Sequence, residues 1–219
     1  APPRFPRGPP PAGQPPRPFS EAGAGGAPRR PPDLPRGRGG VGEAGGGGDR
    51  AGLYYVFAVP NSDGITRRTA DPWARACGRD GARSMVIDLR RTDPEGWAGD
   101  APPARGPEDI IWEVHVKAFS HDVHSGVPEA LRGKYKALTL TGTTLDGDGV
   151  HPTCIDYLKR LGVNYVQLMP VFDYGSVPED GSDAFNWGYD PVNYNVPEGS
   201  YATDPTDGAA RIRELKEAI

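Results

Sequence analysis

The 219-residue chain has little cysteine and no long apolar run. Its two cysteines, Cys77 and Cys154, lie far apart and in no C-x-x-C pattern. That excludes a disulfide scaffold and a cysteine zinc site. Cys154 falls in a predicted helix, where a lone thiol acts as a small core residue. No stretch approaches the roughly 20 apolar residues that a bilayer span needs, and the opening lacks the apolar segment of a secretory signal. A membrane partner is therefore not expected, and the sequence does not specify a compartment. The chain opens on Ala1 rather than Met. We expect a piece of a longer protein, and a foreign or mistranslated leader stays open as an alternative to a native one.

Large side chains are scarce over residues 1–50, which hold 13 Pro and 13 Gly. Only Phe5, Phe19, Leu34 and Val41 offer sizeable apolar groups there. Such a segment cannot bury enough surface to offset its ordering entropy, so a disordered Pro/Gly/Arg-rich leader is expected over 1–50. The leader carries 8 Arg against 4 acids, a balance of +4, and the rest of the chain carries −8, which gives the net charge of −4. A basic arm without interleaved lysines and aromatics reads as a solvated tail, and the acidic remainder argues against nucleic acid. A neutral partner fits that charge.

What is present falls into two patterns. Gly52–Val59 is rich in β-formers, Pro60–Gly64 is a turn cluster, and Ile65–Thr69 can return as a second strand. A third short strand is expected over Ser84–Leu89. Three strands without a helix suggest part of a β-sandwich over 51–93, followed by a Pro/Gly/acid-rich linker over 94–108. From 109 onward the pattern becomes α/β. Asp109–Val116 is a near-continuous apolar strand of the kind covered on both faces. A long loop runs from Phe119 to His151, with one helical turn at Pro128–Leu131. A helix from Pro152 to Leu161 places Ile155, Leu158 and Leu161 on one stripe and ends at Gly162. Val163–Met169 is a second strand, which makes a βαβ unit. A long loop from Val171 to Thr206 then leads to a helix capped by Asp207, with Ile212, Leu215 and Ile219 facing the core.

Within that loop, Phe185-Asn186-Trp187-Gly188-Tyr189-Asp190-Pro191 packs three aromatics, an amide and a carboxylate around one glycine. Aromatic faces stack on the C–H faces of sugar rings, and amides and carboxylates bind their hydroxyls. The stretch resembles the signature of bacterial type I pullulanases, the debranching branch of the α-amylase glycoside hydrolase family. That signature usually starts with Tyr and often has Asn where Asp190 stands. Asp71-Pro72-Trp73-Ala74 and Met85–Leu89 resemble the exit of the family's carbohydrate-binding module. Ile110–Val116 resembles barrel strand 1, and Gly162–Pro170 the strand-2 motif. The resemblance covers about 51–219, and residues 1–50 match nothing in the family.

The resemblance implies an α/β chain: the first two βα units of a (β/α)8 TIM barrel over 109–219, after a partial β-sandwich carbohydrate-binding module over 51–93. It implies an N-terminal-side fragment of an α-1,6-glucosidase acting on pullulan, glycogen or limit dextrins without a cofactor. Substrate contact is expected from Tyr189, with Trp187, Asn186 and Asp190 shaping the pocket or holding the loop. Retaining glycosidases need two carboxylates about 5–5.5 Å apart. In this family they come from strands 4 and 5, so none is assigned in this chain, which alone is expected to be inactive and marginally stable. Glu113, inside a predicted buried strand, and Asp173 are given structural roles, as is His115. The pair His121 and His124 lacks a third ligand and Asp146–Gly149 lacks a later Glu, so no metal is assigned. A non-catalytic glucan-binding remnant, or another debranching or branching enzyme of the family, stays open beside the pullulanase reading.

Overall fold

A computed structural model describes the backbone of residues 17–21, and residues 48–219 apart from 180 and 182. Strand β1 (Arg17–Glu21) pairs antiparallel with β2 (Tyr54–Pro60). On the other edge of β2, β3 (Thr66–Thr69) pairs with its second half and β4 (Ser84–Met85) with its first residues. The expected hairpin is present: Gly64 and Asn61 close its turn with backbone hydrogen bonds to Asn61 and Ile65. Two expectations change here. Residues 17–21 form a strand although they lie in the leader; a β-edge supplies backbone partners that need no apolar side chain. The rest of 1–47 lies outside the described residues. The third strand also stops at Met85, because Asp88 accepts from the Arg90 N–H at 3.2 Å and starts a 3-10 turn over Leu89–Thr92.

The second pattern begins with β5 (Ile111–Val114), which runs straight into helix α1 (Val116–Ser120). Helix α2 (Cys154–Leu161) crosses to β6 (Tyr165–Leu168), and β5 and β6 pair in parallel register from Ile111 opposite Tyr165 to Val114 opposite Leu168. The βαβ unit is therefore as read, but there is no barrel: among the described residues β6 is the only partner of β5. Ile111 is 62% exposed and Trp112 41%. The expectation of a strand covered on both faces fails for that reason, and Glu113 is exposed, reached only by the Gln167 amide at 3.2 Å. The helical turn near 130 is present at Glu129–Leu131.

The largest departure lies in the expected loop 171–206. Strand β7 (Phe172–Tyr174) pairs antiparallel with β8 (Pro191–Pro197), with register shifts on both sides of Asp173. Prolines at both ends of β8 and asparagines at 193 and 195 hide it from β-propensity. Helix α3 (Gly208–Ala218) follows, and Asp207 accepts from the Ala209 N–H at 2.8 Å as its cap. Ile212 is buried and Leu215 packs on the core, whereas Ile219 is 74% exposed at the chain end. Val116, Tyr135, Tyr174, Tyr201 and Ala202 form the main core. Ile212 also joins Ala76 and Met85, which fixes the β-rich part against α3.

Candidate functional site

The aromatic stretch is built on the end of β5. His115 caps α1, its Nδ1 accepting from the Ala118 N–H at 3.2 Å. An accepting Nδ1 leaves the ring proton on Nε2. That N–H faces the Asn186 carbonyl at 2.8 Å and the Tyr201 hydroxyl oxygen at 3.1 Å. The imidazole also lies against Phe185, with ring centroids 4.4 Å apart, and meets Trp187 edge-on at 6.2 Å. Phe185 and Trp187 pack edge to face at 5.2 Å. The buried histidine is thus a pedestal for the loop, in keeping with its expected structural role.

The loop's polar groups close on the loop itself. Asn186 Oδ1 accepts from the Gly188 N–H at 2.7 Å, and its Nδ2 donates to Asp190 at 2.9 Å. Ser176 donates to the other Asp190 oxygen. These hydrogen bonds, Ser176's first and Asn186's second, hold the Asp190 carboxyl below the usual carboxylate range. Gly188 has φ +86°, and a Cβ there would stand 2.6 Å from the Pro170 carbonyl oxygen, so this corner admits only glycine. The four expected contact residues are therefore brought into one turn with different tasks. Asn186 and Asp190 use their polar atoms to hold its shape. Tyr189, 69% exposed, and Trp187, 59% exposed, present rings to solvent.

Behind the hairpin is a buried charge network that sequence reasoning touched only at Asp173. Arg211 of α3 is fully buried. It donates to Asp173 at 3.1 Å and to Glu179 at 2.5 Å, and also to the carbonyls of Gly78, Pro197 and Pro205. Asn193 donates to Asp173 at 2.6 Å, and Glu198 accepts from the N–H groups of Tyr174 and Ser200. Burial raises Glu179 to about 7, and it raises Asp173 and Glu198 as well. Asp173, Glu179 and Glu198 lie close enough together to hold a metal ion. Their cation is already present as the guanidinium, however, and the remaining oxygens are met by backbone N–H groups and Asn193. An arginine between Ala210 and Ile212 gives no periodic signal, which is why the sequence did not expose this network. His121 instead meets Asp183 at 2.7 Å and His124 meets Asp146 at 2.5 Å, so the two histidines of the H-x-x-H pair face different carboxylates.

Comparison with known proteins gives a consistent answer. No family model matches the chain. The pullulanase of Bacillus subtilis (strain 168) is 38% identical over 175 residues, covering 78% of this chain and 23% of that protein. A glycogen debranching enzyme of Klebsiella pneumoniae (strain 342) is 35% identical over 141 residues, 63% of this chain and 19% of its own length. The solved structure of the pullulanase from Bacillus acidopullulyticus superposes with a TM-score of 0.86 at 40% identity, covering 96% of this chain and 25% of that one. That of the Paenibacillus barengoltzii pullulanase in complex with maltohexaose and α-cyclodextrin gives 0.83 at 39%, covering 93% and 32%. The chain spans about a quarter of the length of these relatives. In sequence and in fold it is pullulanase-like over most of its length.

Proposed function

We propose that this chain is a glucan-gripping, N-terminal-side part of a debranching α-1,6-glucosidase that hydrolyses branch points of pullulan, glycogen or limit dextrins. The observation that carries this reading is the loop 185–191: two exposed aromatic rings on a turn fixed by His115, Asn186, Asp190 and Gly188. Such a surface has rigid apolar faces, and its one carboxylate, Asp190, is engaged by the Ser176 hydroxyl and the Asn186 amide, which suits a neutral sugar. Solved relatives in complex with maltohexaose, maltotriose and maltotetraose support the choice of an α-1,4-linked glucan as ligand. Tyr189 stacks on a glucose ring, Trp187 widens the platform, and Asn186 and Asp190 keep both in place. In the whole enzyme the retaining mechanism uses two carboxylates supplied from outside this chain. The buried carboxylates here are tied to Arg211 and backbone N–H groups, so they are not available as acid or nucleophile. That observation also favours a second reading, in which this chain by itself binds glucan without cleaving it.

Titration of the chain with maltohexaose, followed by Trp fluorescence, tests the platform. We expect Tyr189→Ala to weaken binding about tenfold, the equivalent of roughly 1.4 kcal/mol, and Trp187→Ala to weaken it by a smaller factor. Unchanged affinity in both variants sinks the assignment of this loop as the glucan contact. Release of reducing sugar from pullulan by this chain would contradict the carboxylate argument.

A further inference from the structure

Beside the aromatic loop, and not part of its exposed face, lies a cavity of about 550 Å³. Its charged lining is Arg79, Lys117, His121, Arg132, Lys134 and Asp183, with Glu179 in one wall. Glu179 turns both oxygens away, to the N–H groups of Asp80 and Gly199 and to Arg211. Among the described residues one acid, Asp183, therefore faces four permanent cations and an imidazole. Asp183 is also the most exposed of the group and reaches only Lys117 at 3.0 Å and His121 at 2.7 Å.

The cations are poorly matched by anions. Lys134 is half-buried, and its ammonium donates to the Ser200 carbonyl at 2.8 Å with no carboxylate within ion-pair distance among the described residues. Burial, the largest cause, holds it below the usual lysine range. Arg132 donates only to the carbonyls of Val127 and Val123, at 3.0 and 3.3 Å. Arg79 has a loose contact of 3.7 Å to Asp80. A partly desolvated ammonium bonded to one neutral carbonyl retains unused donors, and an arginine bonded to carbonyls keeps its full charge.

We propose that this cavity is a binding site for a small phosphate-bearing anion, either inorganic phosphate or a sugar phosphate monoester. Phosphate offers tetrahedral acceptor oxygens that convergent lysines and arginines satisfy with charge-assisted hydrogen bonds. A cavity of this size admits a hexose attached to the phosphate. The excess of three positive charges among the described lining residues favours a dianion over the neutral glucan of the neighbouring platform. Lys117 links the two places, because its ammonium also donates to the Ala184 carbonyl one residue before Phe185.

The test is calorimetric titration of the whole 219-residue chain at low ionic strength with inorganic phosphate, with glucose 6-phosphate and with glucose as the neutral control. We expect saturable binding of at least one phosphate in the low-millimolar range or tighter, none of glucose, and weakening by added NaCl. Lys134→Met should weaken it about tenfold, and Lys134→Arg should restore most of the affinity. Tighter binding of the sugar phosphate identifies a monoester as occupant, and equal binding identifies the phosphate group alone. Should Lys134→Met fail to fold, by far-ultraviolet circular dichroism, Lys117→Gln takes its place with the same expectation. No saturation with either phosphate up to about 10 mM, or full binding in the lysine variants, overturns the proposal.

Discussion

Single residues decide whether the aromatic platform exists. Tyr189 and Trp187 carry the exposed surface, but His115 and Gly188 set where that surface stands. His115 is held from both sides, since one ring nitrogen accepts from α1 and the other donates to the loop. His115→Ala removes the side-chain tie between the loop and the junction of β5 with α1, together with the ring under Phe185. We expect maltohexaose affinity to fall as far as in Tyr189→Ala while Tyr189 itself is intact, with faster amide exchange confined to 185–190. Exchange that speeds up throughout the chain would show a core defect instead. Gly188→Ala attacks the same turn differently. A non-glycine residue at φ +86° with its Cβ against the Pro170 carbonyl is strained by on the order of 1–3 kcal/mol. The loop gives way before the strands do, so affinity should fall more than the melting temperature. The platform residues were legible in the sequence because aromatics around a glycine are a chemical pattern. Their support was only half legible: His115 read as a buried hydrogen-bonding residue, but its partner Asn186 is 71 residues away.

At the scale of elements, periodicity served where packing follows a repeat and failed where pairing alone makes the structure. Helices α2 and α3, the Asp207 cap, the Gly162 stop and the β5–α2–β6 crossover are read from spacing, although Thr153 makes no side-chain cap bond and Leu161 of the expected stripe is exposed. The β7–β8 hairpin is not, because its partners are set by the register shifts around Asp173 and by the network below it. That network has a definite pH signature. Burial raises Glu179 from 4.5 to about 7. The folded chain then holds this proton more tightly than the unfolded one does. Its contribution to stability is complete below about 4.5 and is lost as pH rises through about 7. Asp173 and Glu198 are raised as well and act in the same direction. Asp148 acts oppositely: N–H and side-chain bonds from His151 lower it to about 2, so its contribution is lost as pH falls below 3.8. We expect the melting temperature to be highest near pH 5 and to decline towards pH 8, and Glu179→Gln to flatten that decline. A melting temperature that rises from pH 5 to 8 would show that Arg211 keeps Glu179 ionised. Arg211→Met leaves buried carboxylates without their cation, and it should cost about 3–5 kcal/mol.

The whole molecule carries an imbalance that follows from the parallel pair. Strands β5 and β6 were legible as strands because their apolar runs are those of a sheet with covered faces. Among the described residues the pair stands alone, and the same apolar runs become surface: Ile110, Ile111, Trp112 and Val166 are all exposed. The free edges of both strands also present unpaired backbone groups among the described residues. An exposed apolar face beside an open sheet edge is a template for another chain. The net charge of −4 is too small to oppose such contact strongly. We therefore expect the isolated chain to self-associate as its concentration is raised through the micromolar range, and the association to survive added salt because it is apolar. Sedimentation velocity at several concentrations measures this directly. Ile111→Lys places a charge in the middle of the face and should shift the chain towards monomer without lowering its melting temperature, because that side chain supports no core in the monomer. A wild-type chain that stays monomeric at high concentration would mean that some other part of the molecule covers this sheet in solution. A lysine variant that associates as strongly as the wild type would move the contact to another surface.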